Sequence, residues 1–91
     1  MSYKLDIKES AQEDLARLKK SEISAFKKAT KLLDELQEHP ATGTGKPEQL
    51  KYYQEPTWSR RISDKHRLVY RIQDEIVTVL VISAYGHYED K

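Results

Sequence analysis

Residues 58–85 read WSRRISDKHRLVYRIQDEIVTVLVISAY, and their pattern decides the fold. Three runs within them, 58–62, 66–72 and 76–85, have strand composition, and the connections Ser63-Asp-Lys65 and Gln73-Asp-Glu75 are short and polar. Strands joined so closely pair as antiparallel hairpins. In the middle run Val69 falls on one face and Leu68 and Tyr70 on the other, the two-residue period of a strand. The last run, IVTVLVISAY, is the most apolar and β-branched stretch of the chain, which predicts a central place in the sheet.

Working outward toward the N-terminus, Tyr3, Leu5 and Ile7 alternate with Lys4, Asp6 and Lys8, so a short first strand with one buried face is expected beside the last one. Ser10-Ala-Gln-Glu13 reads as a capping box opening a helix that ends near Lys20, with Ala11, Leu15 and Leu18 on its apolar face. Ser21 is expected to cap a second helix, whose apolar positions are Ile23, Phe26, Ala29, Leu33 and Leu36. Pro40 and the two glycines of Ala41-Thr-Gly-Thr-Gly45 end it. Helices this short are marginal alone in water, so they must pack on the sheet. The expected fold is α+β, with two N-terminal helices on one face of a twisted, mainly antiparallel sheet of four to five strands.

The chain has 91 residues and a formal net charge of +1, enough for one domain, 1–91, with a single modest core. It has no cysteine, which excludes disulfides and thiolate metal sites. No apolar run approaches the roughly 20 residues needed to cross a bilayer, and no signal-peptide core is present, so a cytoplasmic protein is expected. The near-neutral total hides an uneven distribution. Residues 43–71 hold seven Lys or Arg against three acids, interleaved with Tyr52, Tyr53, Trp58 and Tyr70. Basic side chains among aromatics suit phosphate and unpaired bases, so nucleic acid is the first partner to consider.

Within that stretch Glu48 is placed to act as a general base beside bound phosphate, although a solvated loop glutamate would look the same. His87, just past the last strand, is the side chain best suited to proton transfer near neutral pH, or else part of a tail. His66 and His39 are weaker candidates. Lys46, Lys51, Arg60, Arg61, Arg67 and Arg71 are anion-binding candidates, but strand alternation puts Arg67 and Arg71 on one face and sends Arg60 and Arg61 to opposite faces, so they cannot all serve one site. Trp58 and Phe26 read as packing residues. No Walker loop or nucleophile elbow occurs, and three histidines at 39, 66 and 87 have no metal-site spacing.

Taken together and in order, Gly45-Lys-Pro-Glu-Gln-Leu50-Lys51, Trp58-Ser-Arg-Arg-Ile62, His66-Arg-Leu-Val-Tyr70 and Gly86-His-Tyr88 resemble the YoeB/Txe type of bacterial toxin within the RelE superfamily. The resemblance implies a ribosome-dependent endoribonuclease that cuts mRNA in the ribosomal A site and inhibits translation. It implies no metal or cofactor. It also implies a cognate YefM/Phd-type antitoxin, and it allows a homodimer. By position it makes Glu48 the general base, Arg67 the phosphate-binding arginine, His87 the general acid and Tyr88 a tyrosine near the substrate. Lys51 and Arg61 become supporting cations, and Lys46, Arg60 and His66 join them as RNA- or phosphate-binding candidates. Here Glu89-Asp90-Lys91 follow the tyrosine. The alternative reading is a catalytically inactive RNA- or antitoxin-binding module of the same fold.

Overall fold

The computed structural model describes residues 2–51 and 53–86. Strand β1 (Lys4–Ile7) leads into helix α1 (Glu9–Ser21) and helix α2 (Ile23–Glu38), followed by β2 (Glu48–Leu50), β3 (Thr57–Arg61), β4 (Arg67–Gln73) and β5 (Thr78–Ser83). The five strands form one sheet in the order β1-β5-β4-β3-β2. The β2/β3, β3/β4 and β4/β5 pairs are antiparallel, as short connections require. β1 runs parallel to β5: the helix pair carries the chain from β1 to β2 at the opposite edge, and three antiparallel steps through β3 and β4 bring it back to β5. The apolar run is therefore central, with β1 beside it. It is shorter than its composition predicts: Asp74–Ile76 forms a 3₁₀ turn, Val77 adopts the left-handed region at φ 47°, and Ile76 is exposed. Reversing the chain after β4 consumes residues that would otherwise extend the strand.

The helix starts also depart from expectation. Glu9, not Ser10, opens α1, and the N-cap Lys8 makes no side-chain cap bond. One residue separates β1 from α1, so Ser10 lies inside the first turn against β5, where its hydroxyl donates to the Ile82 carbonyl at 2.7 Å. A tertiary acceptor has displaced the capping box. Likewise Ser21 is the last residue of α1 and its hydroxyl donates back to the Arg17 carbonyl at 2.9 Å, leaving Glu22 alone between the helices. On α2 the buried stripe is Ala25, Ala29, Leu32, Leu33 and Leu36, whereas Ile23 is exposed and Phe26 half-buried. Spacings of four, three and four through 25, 29, 32 and 36 keep one face on the sheet, and Ile23 falls off it.

The core lies between the helices and one sheet face, where Leu18, Leu32, Leu36, Leu68, Tyr70, Val79 and Val81 are completely buried. Trp58 and Phe26 pack against this cluster. Two glycines then bring the next loop onto β3. Gly43 and Gly45 have φ of 117° and 87°. The Gly45 carbonyl accepts from the Arg61 N–H at 2.7 Å, and a Cβ on Gly45 would lie 3.0 Å from the Arg61 carbonyl oxygen. That docking delivers Lys46, Pro47 and Glu48 to the edge of the sheet, where Glu48 begins β2, a three-residue strand too short to show in the sequence pattern.

Candidate active site

Directly paired residues of an antiparallel ladder share a face. Glu48 is opposite Ser59, Ser59 is opposite Val69, and Arg61 is opposite Arg67. All five therefore project from the face that the helices do not cover. Here Lys46, Pro47, Glu48, Arg61 and Arg67 line a cleft of about 410 Å³. Arg67 Nη1 lies 3.7 Å from Glu48 Oε1 and donates a long bond of 3.4 Å to the Ser59 hydroxyl. Two arginines directly across a strand pair repel each other. Lys46 adds a third positive charge, and among the described residues Glu48 is the single carboxylate in the lining. Such a cleft carries a surplus of charge and of donors, which an anion would satisfy.

The backbone N–H of Arg67 also donates to the Gly86 carbonyl at 3.1 Å, so the chain beyond β5 returns to the strand that supplies the cleft's arginine. His87 and Tyr88, which follow in sequence, lie outside the described residues. The structure thus brings together Glu48, Arg67, Arg61 and Lys46. Lys51 is exposed just after β2 and is not among the lining residues. Arg71, two residues along from Val69 on the same face, pairs instead with Glu55 at 3.5 Å and with the Thr57 hydroxyl at 3.3 Å. Ser59 is the residue that sequence reasoning passed over; its signal was the alternation that sets it two positions from Arg61 on β3.

Two RNA-binding candidates are not on this surface. Arg60 points to the helix side and is wholly buried. Its Nη1 donates to Glu35 Oε1 at 3.0 Å and to the Thr44 carbonyl at 3.3 Å. Its Nη2 donates to the carbonyls of Thr42, at 2.6 Å, and His39, and its Nε donates to the Tyr70 hydroxyl at 3.1 Å. The Tyr70 hydroxyl donates in turn to the Pro40 carbonyl at 2.8 Å. The guanidinium thus ties the loop after α2 to the sheet. Hydrogen bonding from Thr44 foremost, with the Arg60 charge adding to it, holds the Glu35 carboxyl below the usual glutamate range. Burial pushes the Tyr70 phenol up, against the opposing effect of Arg60.

His66 is the second correction. It is 3% exposed, and both ring nitrogens are occupied: Nε2 lies 2.7 Å from Glu22 Oε2, and Nδ1 accepts from the Gly86 N–H at 2.9 Å. Nothing of that ring is left for RNA. Sequence placed it beside Arg67 but could not show that it turns inward.

Residues 7–88 match the family described as YoeB-like toxin of bacterial type II toxin-antitoxin system. The chain is 48% identical over 62 residues to toxin YoeB of Mycobacterium bovis, covering 68% of this chain and 71% of the relative. Among solved structures, it resembles the YoeB/ParE toxin from Agrobacterium tumefaciens with 33% identity, a TM-score of 0.85, and coverage of 93% of this chain and 99% of that one. It also resembles the toxin in the heterotetrameric YoeB-YefM complex from Staphylococcus aureus, with 31% identity, a TM-score of 0.78, and coverage of 97% and 100%.

Proposed function

The chain belongs to the YoeB-like toxins of bacterial type II toxin–antitoxin systems, and from that premise we propose that it is a metal-independent endoribonuclease that cuts mRNA in the ribosomal A site. The observation that carries this reading is the approach of Glu48 to Arg67, 3.7 Å apart, in a cleft where three cations face one carboxylate. Glu48 removes the proton from a ribose 2′-hydroxyl, and the freed oxygen attacks the adjacent phosphorus. His87 gives a proton to the departing 5′-oxygen, so the products are a 2′,3′-cyclic phosphate and a 5′-hydroxyl end. Arg67, with Arg61 and Lys46 around it, balances the charge that builds on the phosphoryl oxygens. Among the described residues Glu48 is the carboxylate paired with Arg67; an incoming phosphate takes over that partner and frees the carboxylate to accept a proton. DNA lacks the nucleophile and should be inert.

The same charge surplus supports an antitoxin partner. An acidic segment that is disordered until it binds can neutralise the cleft, and the similar Staphylococcus aureus toxin was solved with YefM. A complex of this chain with its antitoxin should have that segment over the Glu48/Arg67 face.

The test is primer extension on mRNA bound to programmed ribosomes, with naked RNA alongside. Wild type should cut within the A-site codon only when ribosomes are present. Glu48→Gln and His87→Gln should each lose activity by about 10² to 10⁴ while remaining folded and able to bind antitoxin. Absence of cleavage by the wild type would transfer the chain to the binding-only reading, and undiminished cleavage by both variants would overturn the catalytic assignment.

A further inference from the structure

Three consecutive residues after β5 are each gripped by a side chain from elsewhere in the fold. The Ala84 N–H donates to Asp14 Oδ2 at 3.0 Å. The Tyr85 ring is contacted by the Arg17 guanidinium, 4.3 Å from its centroid, and by the His66 ring, 4.4 Å centroid to centroid. The Gly86 N–H donates to His66 Nδ1, and the Gly86 carbonyl accepts from the backbone of Arg67. Gly86 has φ of 88°, and beyond its chain neighbours no described atom lies within 4 Å of where a Cβ would stand. Its N–H and its carbonyl are each held by a hydrogen bond.

The bond to His66 requires a particular form of the imidazole. An amide N–H only donates, so Nδ1 must be the unprotonated nitrogen, and the hydrogen-bond pattern puts the ring proton on Nε2, where it donates to Glu22. Glu22 is the single residue between α1 and α2. The junction of the two helices therefore selects the tautomer that can hold Gly86. The next residue in sequence is His87, the general acid of the proposed reaction.

We propose that His66 is a positioning residue for cleavage: held as the Nε2–H tautomer by Glu22, it fixes the Gly86 amide and thereby the direction in which the chain leaves β5 toward His87. This rests on the reading of His87 as general acid. His66 touches neither substrate nor reacting atoms and acts through the backbone. Misplacing a catalytic group by about 1 Å lowers rates by up to about 10²-fold, and the effect falls on turnover rather than on binding.

Two substitutions separate the two ring nitrogens. His66→Gln keeps a donor near the Nε2 position for Glu22 but offers Gly86 no acceptor; His66→Asn places its amide oxygen near the Nδ1 position and gives up Glu22. In ribosome-dependent mRNA cleavage, His66→Gln should lower kcat by roughly 10- to 100-fold with KM little changed, and His66→Asn should recover most of that loss. Hydrogen exchange at the Gly86 amide, which needs no activity, should be protected in wild type and His66→Asn and about tenfold faster in His66→Gln. Equal protection in His66→Gln, or wild-type kcat in that variant while His87→Gln is slow, overturns the proposal. Undiminished cleavage by His87→Gln is a different failure, that of the general-acid reading, and removes the function assigned to the grip while exchange still reports whether the grip exists. Should His66→Gln fail to fold, His66→Asn decides: retained kcat supports the role of Nδ1, and loss of kcat with a protected Gly86 amide overturns it.

Discussion

Arg60 and Arg61 are consecutive on β3, and the two regions they enter differ in how a guanidinium finds its acceptors. On the helix side, Arg60 meets one carboxylate, three carbonyls and a phenol, all supplied by the chain itself. On the other side, Arg61 faces Arg67 across the ladder, with Glu48 as the one carboxylate lining their cleft among the described residues. Burying a charge is tolerable only when its hydrogen-bonding capacity is met. Among the described residues no buried side-chain nitrogen or oxygen lacks a partner. The inward arginine is therefore part of the scaffold, and the outward pair keeps capacity for a ligand. The same residue type, one position apart, is satisfied by the chain itself on one face and lines an open cleft on the other.

That contrast can be broken most directly by exchanging which property each region loses. Glu48→Gln should cost about 10² to 10⁴ in cleavage and leave the unfolding midpoint in urea nearly unchanged. Arg60→Ala should do the reverse at first hand: it strands Glu35 and the carbonyls of the 39–44 loop, and should destabilise the fold by about 3 kcal/mol in the same urea titration. Arg60→Lys should recover little, since one ammonium cannot reach acceptors spread around a planar fork. If Arg60→Ala left stability intact, the division between scaffold and ligand-binding arginines would be wrong.

Smaller effects sharpen the boundary. Tyr70→Phe removes the donor to Pro40 and the acceptor of Arg60 Nε, and should cost about 1–3 kcal/mol. Acid should reach the helix-side network through Glu35. Its folded-state pKa is lowered, so the stability it contributes is fully present above the unfolded-state value of about 4.3 and is lost as pH falls through the folded-state value. Thermal midpoints measured from neutral pH downward should fall less steeply below about pH 4.3 in Glu35→Gln than in wild type. The smallest change in stability is expected for Arg61→Ala, within about 0.5 kcal/mol. Its signature lies in RNA binding, where the salt dependence should weaken by about one phosphate contact.

The amino-acid sequence by itself determined the strand alternation of residues 58–85, the antiparallel hairpins, the two helices and the central place of the last strand. Periodicity and short polar connections are local properties, and local physics is enough to set them. It also marked Glu48 as a candidate base and Arg67 as an anion-binding candidate, because residue type and a cationic neighbourhood are visible without coordinates. Tertiary structure alone decided which side of β3 faces the helices. Alternation says that Arg60 and Arg61 diverge and says nothing about which one enters the protein, so Arg60 could be counted among the surface cations until Glu35 and the 39–44 loop closed over it. Ser10 left its capping box for the same reason, a carbonyl on β5 arriving within reach, and His66 turned from a surface candidate into the buried hold on Gly86. In each case the deciding partners lie 16 or more residues away in sequence, at a distance no local pattern records.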